Sequence, residues 1–296
     1  PMMKFFFLSL FILMISSCQI EGVSNENNKE SNSVDSLKTS LEKKSINNDS
    51  LNSRSKEIIK EDTLDVLTME NGLKITWYKK GEGELLKKGD LINIDYRNKL
   101  EDGTVYDGNH LIKKKYIPFL VGWNQQTPGW DIALKKLRVG DDVDIFIPSE
   151  LARGKRGIEG LVPPNANNIL SLRIISKPEP TKVVDGIKIW KVDELKNPGD
   201  SVDFKDRVLI DYWASSESTP RYDNSYKRRE PFELVMGDGN IVPGLYKALH
   251  FAREGDKMMI FIPSREAYGE KGLTDIIEPN EDIFYDIIVR EVTKLD

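Results

Sequence analysis

Alternation of apolar and polar residues recurs in short segments and predicts β-strands with one buried face. Residues 92–96 place Ile, Ile and Tyr at alternate positions, and residues 208–212 place Val, Ile and Tyr there. Residues 170–174 and 283–289 follow the same period of two, with Leu, Leu and Ile in one and Ile, Tyr, Ile and Val in the other. These four segments are therefore predicted to be strands that each cover one side of a core.

Two short segments have helical spacing instead. The segment Pro243–Leu249 begins with proline, which is favoured in the first turn of a helix. The two predicted apolar stripes are formed by Val242, Leu245 and Leu249 and by Trp130, Leu134 and Leu137. Strands with one apolar face and one short helix predict an α+β fold, in which an antiparallel sheet wraps over the helix and leaves a groove between them.

The predicted elements occur twice along the chain. The triplet Ile-Asp-Tyr at 94–96 returns 116 residues later at 210–212, and Ile-Phe-Ile-Pro-Ser at 145–149 returns 115 residues later at 260–264. A gap of one residue explains the change in displacement. A period of this length indicates a duplicated domain rather than a solenoid repeat.

The repeat sets the predicted domain boundaries. The first domain is expected to span residues 64–178 and the second residues 182–296. They meet near Lys177-Pro178-Glu179-Pro180, where two prolines favour a short, stiff linker.

The residues before the repeat resemble a targeting sequence. Lys4 precedes the apolar run Phe5–Met14, which is too short to span a bilayer, and Ile15-Ser16-Ser17-Cys18 follows it. This quartet resembles the bacterial lipoprotein signature, in which the cysteine is lipidated and becomes the new N-terminus. We therefore expect residues 1–17 to be a signal peptide and Cys18 to carry lipid; the alternative is a plain signal peptide with a chance cysteine.

The segment that follows differs in composition from the repeat. Residues 18–63 are expected to hold the lipidated Cys18 and a disordered tether, because they are rich in Asn, Ser, Lys and Glu and contain no aromatic residue. Gln19 follows the cysteine where lipoproteins retained at the inner membrane usually carry Asp. The expected location is therefore the cell envelope, at the outer membrane, with its periplasmic and surface faces both left open.

Composition excludes several classes of function. Of 296 residues, 39% are hydrophobic and 31% charged, which is the balance of a soluble globular protein and not of a polytopic membrane protein. Lys and Arg number 43 against 48 Asp and Glu, so the net charge of −5 argues against nucleic-acid binding. One Cys and two His are too few for a disulfide framework or a zinc site, and no metal or cofactor is expected.

Ordered motifs in both copies resemble the FKBP-type peptidyl-prolyl isomerases. The first copy carries Lys88-Gly89-Asp90, Asp95-Tyr96 and the octet Leu-Glu-Asp-Gly-Thr-Val-Tyr-Asp at 100–107. The second carries Val242-Pro243-Gly244-Leu245 and the segment 261–269, which reads Phe-Ile-Pro-Ser-Arg-Glu-Ala-Tyr-Gly. The resemblance extends over most of both copies, from about residue 65 to the end of the chain.

The resemblance implies an isomerase site in the second copy. It assigns catalytic roles to Tyr212, Asp223 and Tyr268. Its substrate-binding residues would be Tyr222, Phe232, Ile241, Val242, Leu245, Ile276, Ile277 and Tyr285. The Val242 amide would anchor the substrate backbone, and the two isoleucines would lie on a rim loop. Because rotation about an X–Pro bond breaks no bond, the reaction needs neither a nucleophile nor a cofactor.

The first copy departs from this pattern. It retains Tyr96, Tyr106, Asp107 and Phe119, with Trp130 at the pocket floor. At five other pocket positions the first copy has a different residue from the second. It has Gln126 where the second has Ile241, Thr127 for Val242, Arg153 for Tyr268, Ile117 for Phe232 and Leu170 for Tyr285. A polar wall and a lost phenol should weaken proline binding, so the first copy is predicted to be a degenerate or specialised module.

Two functions of different classes agree with these observations. The first is a membrane-anchored isomerase that assists folding of exported proteins, with proline-containing polypeptide segments as its substrates. The second is a non-catalytic adaptor subunit of a secretion or motility machine in the envelope, with other subunits of that complex as its partners. The pocket of the second copy favours the isomerase, whereas the altered pocket of the first copy favours the adaptor.

Overall fold

The computed structural model describes residues 63–192 and 197–295. Residues 1–62, with the predicted signal peptide, Cys18 and all but the last residue of the predicted tether, lie outside the described residues. From Thr63 onward the chain forms one compact unit. None of the helices in the described ranges has the length and apolar character needed to cross a membrane.

The first repeat forms a seven-stranded antiparallel sheet. Its strands are β1 (Asp65–Thr68), β2 (Lys74–Lys79), β3 (Leu91–Leu100), β4 (Val105–Gly108), β5 (Ile117–Leu120), β6 (Asp142–Ile147) and β7 (Asn168–Ser176). The spatial order is β1-β2-β6-β7-β3-β4, with β5 also paired to β3. The sheet packs against one short helix, α1 (Pro128–Leu134).

The second repeat has the same number of strands, also antiparallel. They are β8 (Lys182–Val184), β9 (Ile187–Lys191), β10 (Arg207–Ser216), β11 (Asp223–Asn224), β12 (Phe232–Val235), β13 (Lys257–Ile262) and β14 (Ile283–Thr293). Two helices accompany them, α2 (Ser225–Arg228) and α3 (Pro243–Leu249). The α+β fold predicted from the sequence is confirmed, with the single-turn helix α2 as an addition.

Both longer helices lie where the proline and apolar stripes predicted them. Gly244 lets α3 approach the sheet, because a Cβ at this position would lie 2.3 Å from Cγ2 of Ile262 on β13. Gly129 has the same role in α1. One member of each predicted stripe lies outside its helix. Leu137 is buried but lies three residues beyond the end of α1 at Leu134, and Val242 is the N-cap of α3.

A second apolar cluster joins the two repeats. Met259, Phe284 and Trp190 alternate with core residues of their strands, so they lie on the face of the second sheet that points away from its own core. Trp123 of the first repeat packs there, with its ring 6.0 Å from the rings of Phe261 and Phe284. We call this set the interdomain cluster; its buried members are Leu91, Leu120, Trp123, Trp190, Met259 and Phe284.

Polar contacts fix the position of Trp123. The buried Asp131 carboxylate on α1 accepts hydrogen bonds from the amides of Gly122 at 3.0 Å and Asn124 at 2.8 Å, which holds the turn that carries the ring. Burial raises the pKa of Asp131, and the two amides act in the opposite direction. Asn124 Nδ2 then donates to the carbonyl of Glu217 at 3.0 Å, across the domain boundary. The turn therefore couples the core of one repeat to the surface of the other.

The interdomain cluster predicts the outcome of a single truncation. Trp123 is 1% exposed, so Trp123→Ala should cost about 3–5 kcal/mol and allow the two repeats to unfold separately. Trp123→Phe should be far milder, because the indole Nε1 is buried without a hydrogen-bond partner among the described residues. Calorimetric unfolding would test both changes, with Phe204→Ala, at a side chain 61% exposed, as the control. One unchanged transition in Trp123→Ala would contradict coupling through this cluster.

Candidate functional site

Three aromatic rings form an apolar cup in the groove of the second repeat. Tyr212 on β10 lies between Phe232 on β12 and Tyr285 on β14, with ring centroids 5.9 Å and 5.8 Å away. The strand register sets this arrangement, because Ile210 pairs with Phe232 and Ala214 pairs with Tyr285. The sheet therefore brings together rings that are far apart in sequence.

Two further tyrosines line the same groove. Tyr222 and Tyr268 are half-buried and pack against the core cluster that also contains Tyr285. Burial raises the pKa of all three phenols, so each stays protonated at neutral pH and can donate a hydrogen bond. The Tyr222 hydroxyl is buried and, among the described residues, has no hydrogen-bond partner of good geometry. The groove thus combines an apolar surface with hydroxyl groups.

Asp223 is the charged member of the site. Arg228 Nη1 donates to Asp223 Oδ1 at 2.6 Å, the Tyr212 hydroxyl donates to Oδ2, and Arg228 Nη2 donates to the Tyr212 oxygen at 2.8 Å. Partial burial acts to raise the pKa of Asp223, but the bonds from Tyr212 and Arg228 outweigh it and the pKa is lowered. Burial and the Asp223 hydrogen bond raise the pKa of Tyr212 to about 12. Asp223 therefore stays ionised and Tyr212 stays protonated near neutral pH.

Helix α2 places Arg228 in that triangle. Asn224 caps the helix, its side chain accepting a hydrogen bond from the Lys227 amide at 2.8 Å. Ser225 Oγ accepts from the Tyr212 amide at 3.1 Å and donates to Asp211 at 2.7 Å, which ties the helix to β10. The motifs in the sequence did not single out Arg228. The sequence feature that could have indicated it is Asn224, a favourable helix-capping residue directly after Asp223. A helix of one turn that begins there brings the side chain at its end back toward the Asp223 carboxylate.

The remaining predicted substrate residues divide into a wall, a floor and a rim. Ile241 and Val242 are half-buried at the start of α3, and Leu245 is buried beneath them. The two rim isoleucines separate, because Ile276 is 40% exposed whereas Ile277 is 4% exposed and belongs to the core. Both nevertheless lie in the loop between Lys271 and Ile283, and their contact with substrate stays a prediction. Nowhere in residues 63–192 and 197–295 do three or more His, Cys, Asp or Glu side chains form a metal-binding group.

The equivalent groove of the first repeat has a different chemistry. The Tyr96 hydroxyl donates to Asp107 Oδ1 at 3.1 Å, as Tyr212 does to Asp223. Trp130 forms the floor, stacked on Phe119 at 5.2 Å and edge-on to Tyr96 at 5.3 Å. The position of Arg228 is occupied by Ile112, so the carboxylate triangle is incomplete.

The upper wall of this groove is polar. Arg153 Nη2 donates to Gln126 Oε1 at 3.0 Å, whereas the second repeat places Tyr268 and Ile241 at these positions. The strand register supports the other expected exchanges. Ile117 pairs with Ile94 as Phe232 pairs with Ile210, and Leu170 pairs with Asn98 as Tyr285 pairs with Ala214.

Comparison with known proteins agrees with this geometry. The family model for FKBP-type peptidyl-prolyl cis-trans isomerase matches residues 82–174 and 199–290, which together make up more than half of the chain. The chain therefore belongs to the FKBP-type peptidyl-prolyl cis-trans isomerase family, with two FKBP domains in tandem.

Individual relatives match one or both domains. The peptidyl-prolyl cis-trans isomerase FKBP10 of Mus musculus is 24% identical over 207 residues, covering 70% of this chain and 35% of its own length. FK506-binding protein 1 of Candida glabrata is 37% identical over 111 residues, covering 36% of this chain and 95% of its own. The structure of the three FKBP domains of wheat FKBP73 aligns with a TM-score of 0.39 and 22% identity, covering 78% of this chain and 100% of that one. This chain spans about a third of the length of the FKBP10 relative.

The Asp223 triangle makes a prediction about titration. Arg228→Ala removes a donor and a positive charge while the burial of Asp223 remains, so the pKa of Asp223 should rise relative to the parent. Because ionised Asp223 is the stronger acceptor, the remaining Tyr212–Asp223 hydrogen bond of this variant should weaken at a higher pH than in the parent as the solution is acidified. The carboxyl ¹³C shift of Asp223, followed through a pH titration, measures both effects.

Two variants serve as controls for that titration. Arg228→Lys retains the charge and should return part of the shift, whereas Lys227→Ala changes an exposed side chain of the same turn and should have no effect. An Asp223 pKa that is unchanged in Arg228→Ala would show that the ion pair does not govern this carboxylate.

Proposed function

We propose that the second domain catalyses cis-trans isomerisation of X–Pro bonds in polypeptide substrates, with Tyr212, Asp223 and Tyr268 as the polar groups of its site. The observation that carries the proposal is the apolar cup of Tyr212, Phe232 and Tyr285 beside protonated hydroxyls. Family membership supports the same reaction class. The first domain, with its polar wall, contributes little to the rate.

The chemistry follows from the electronic structure of the amide. Rotation about the bond crosses a barrier of roughly 18–20 kcal/mol, because the C–N bond loses its partial double-bond character on twisting. The planar amide is more charge-separated than the twisted form, so an apolar surface stabilises the twisted form relative to it. The cup receives the proline ring, while the Val242 amide and the Tyr268 hydroxyl donate to backbone carbonyls of the substrate.

Each domain contains an equivalent tyrosine that can be changed to phenylalanine, so the two domains can be compared directly. Tyr212→Phe and Tyr96→Phe each remove one hydroxyl that donates to an aspartate. Tyr212→Phe should slow isomerisation by up to about tenfold, since one net hydrogen bond is worth roughly 0.5–1.5 kcal/mol, and Tyr96→Phe should leave the rate unchanged. Magnetisation-exchange spectroscopy on a proline peptide, with the intact chain, measures both. An equal loss in the two variants would refute the asymmetry between domains.

Changes within the cup should follow an order. Tyr268→Phe should cost about tenfold or less, whereas Phe232→Ala opens the cup to water and should cost more. Asp223→Ala should also slow the reaction, because it releases Tyr212 and Arg228. If Phe232→Ala and Asp223→Ala remain folded by circular dichroism and turn over substrate at the parent rate, this groove is not the active site.

A lipid-anchored role in the cell envelope is the second part of the proposal. It rests on the sequence Ile15-Ser16-Ser17-Cys18 after the apolar run Phe5–Met14. The anchored protein would assist folding of exported, proline-containing chains at the outer membrane. An adaptor function within an envelope secretion or motility complex is the alternative, and the altered pocket of the first domain favours it.

The anchor has a direct test. Cys18→Ser should abolish incorporation of labelled fatty acid in a bacterial host and should either release soluble protein or leave unprocessed precursor. Gln19→Asp should keep the label but shift the protein to the inner-membrane fraction. Undiminished labelling of Cys18→Ser would exclude the lipoprotein assignment.

A further inference from the structure

Four polar side chains replace apolar or phenolic ones in the groove of the first domain. Three of them are the exchanges at Gln126, Thr127 and Arg153 described above. The fourth is Asn168, which pairs with Leu100 and Ile147 just as Ile283 pairs with the corresponding strands of the second domain. Four such changes in one groove go beyond loss of a proline pocket, because loss alone does not favour polar residues at buried positions.

Two of these side chains, Arg153 and Asn168, act on Tyr106. Arg153 contacts Gln126, and its charge acts on Tyr106, whose hydroxyl also interacts with the Asn168 side chain. Burial raises the pKa of Tyr106 to about 12, so the phenol stays protonated beside the guanidinium. The groove therefore presents a cation and hydroxyl groups within one wall.

Three atoms of this wall are buried without a hydrogen-bond partner among the described residues. They are Arg153 Nε, Thr127 Oγ1 and Asn168 Oδ1. Thr127 is 6% exposed and Asn168 is 3% exposed, so protein covers most of both side chains. Buried polar groups nearly always have a hydrogen-bond partner. Three polar atoms without one in the same groove therefore indicate that a bound ligand supplies the missing partners.

The charge of Arg153 selects the ligand class. Arg153 makes no ion pair with any described carboxylate. Asp107 lies in the same groove, but its oxygens already accept from the Tyr96 hydroxyl at 3.1 Å, the Gly108 amide at 2.8 Å and Asn98 Nδ2 at 3.3 Å. The guanidinium is therefore available to an external anion.

We propose that the groove of the first domain binds a carboxylate of a polypeptide ligand. One oxygen would accept from Arg153 Nε and the other from the Thr127 hydroxyl, the charge-assisted contact being the stronger. Asn168 Oδ1 would accept from a backbone N–H of the same ligand. The carboxylate is that of an Asp or Glu side chain or of a free chain terminus, which share this chemistry.

Three short peptides test the proposal on the full-length chain. They are acetyl-Ala-Glu-Ala-amide, its Gln counterpart, and acetyl-Ala-Ala-Ala with a free carboxylate. Titration followed by NMR at the Thr127 amide and the Trp130 indole should show saturable shifts with a carboxylate peptide. The Gln peptide should bind at least about tenfold more weakly than the carboxylate peptide that binds. The response to the Glu peptide against the free-acid peptide identifies which carboxylate source is recognised.

Variants connect binding to the named atoms. Arg153→Gln should weaken binding by at least about tenfold and Thr127→Val, which conserves shape, by about twofold to tenfold. Arg156→Gln, an exposed arginine of the same loop, is the matched control and should bind like the parent. Isomerase activity, proposed for the other domain, should be unchanged in all three.

The outcomes are decisive in either direction. A Gln peptide that binds as tightly as the better-binding carboxylate peptide, or no saturable shift with any of the three peptides, would overturn the proposal. If Arg153→Gln fails to fold, Thr127→Val decides, and parent-like affinity in that variant would also overturn it.

Discussion

The pairing of β10 with β14 is the constraint on which the candidate site depends. One strand carries Tyr212, the other carries Tyr285, and β12 joins the same strand to supply Phe232. The pairing register shifts between Leu209 and Ile210, and a matching shift occurs between Asn93 and Ile94 in the first domain. Because side chains alternate between faces, a slip of one residue would turn these rings away from the groove.

Most of the fold could be predicted because local pattern and repetition agreed. Period-2 segments, the proline at Pro243 and the recurring Tyr-Asp pair each specify local structure, and the second copy confirmed the first. The contacts of Trp123 with Phe261 and Phe284 could not be predicted in this way, because they join distant residues and no period specifies a partner. One signal was available: Met258–Ile262 is apolar throughout, which is typical of a strand covered on both faces.

The candidate site likewise contains residues that could be predicted from the repeat and one that could not. Identities that recur in both copies located Tyr212, Tyr222 and Asp223, whereas Arg228 has Ile112 as its counterpart and so gave no repeated signal. The two FKBP domains share strand register throughout their central pairs, and they differ in the side chains that point into the groove. Backbone geometry is set by many hydrogen bonds and a shared core, so it tolerates such exchanges while the chemistry of the groove changes.

The interdomain cluster also sets an order of events during synthesis. Trp123 lies in the half of the chain that is made first, while Phe284 belongs to the last strand to emerge. Domains generally fold as units from the N-terminal end, so the first domain is complete while the second is still being made. The outer face of the late sheet then forms against a surface that already exists. The N-terminal domain is in this sense a template for its neighbour, and a chain that stops before Met259 would leave Leu91, Leu120 and Trp123 uncovered.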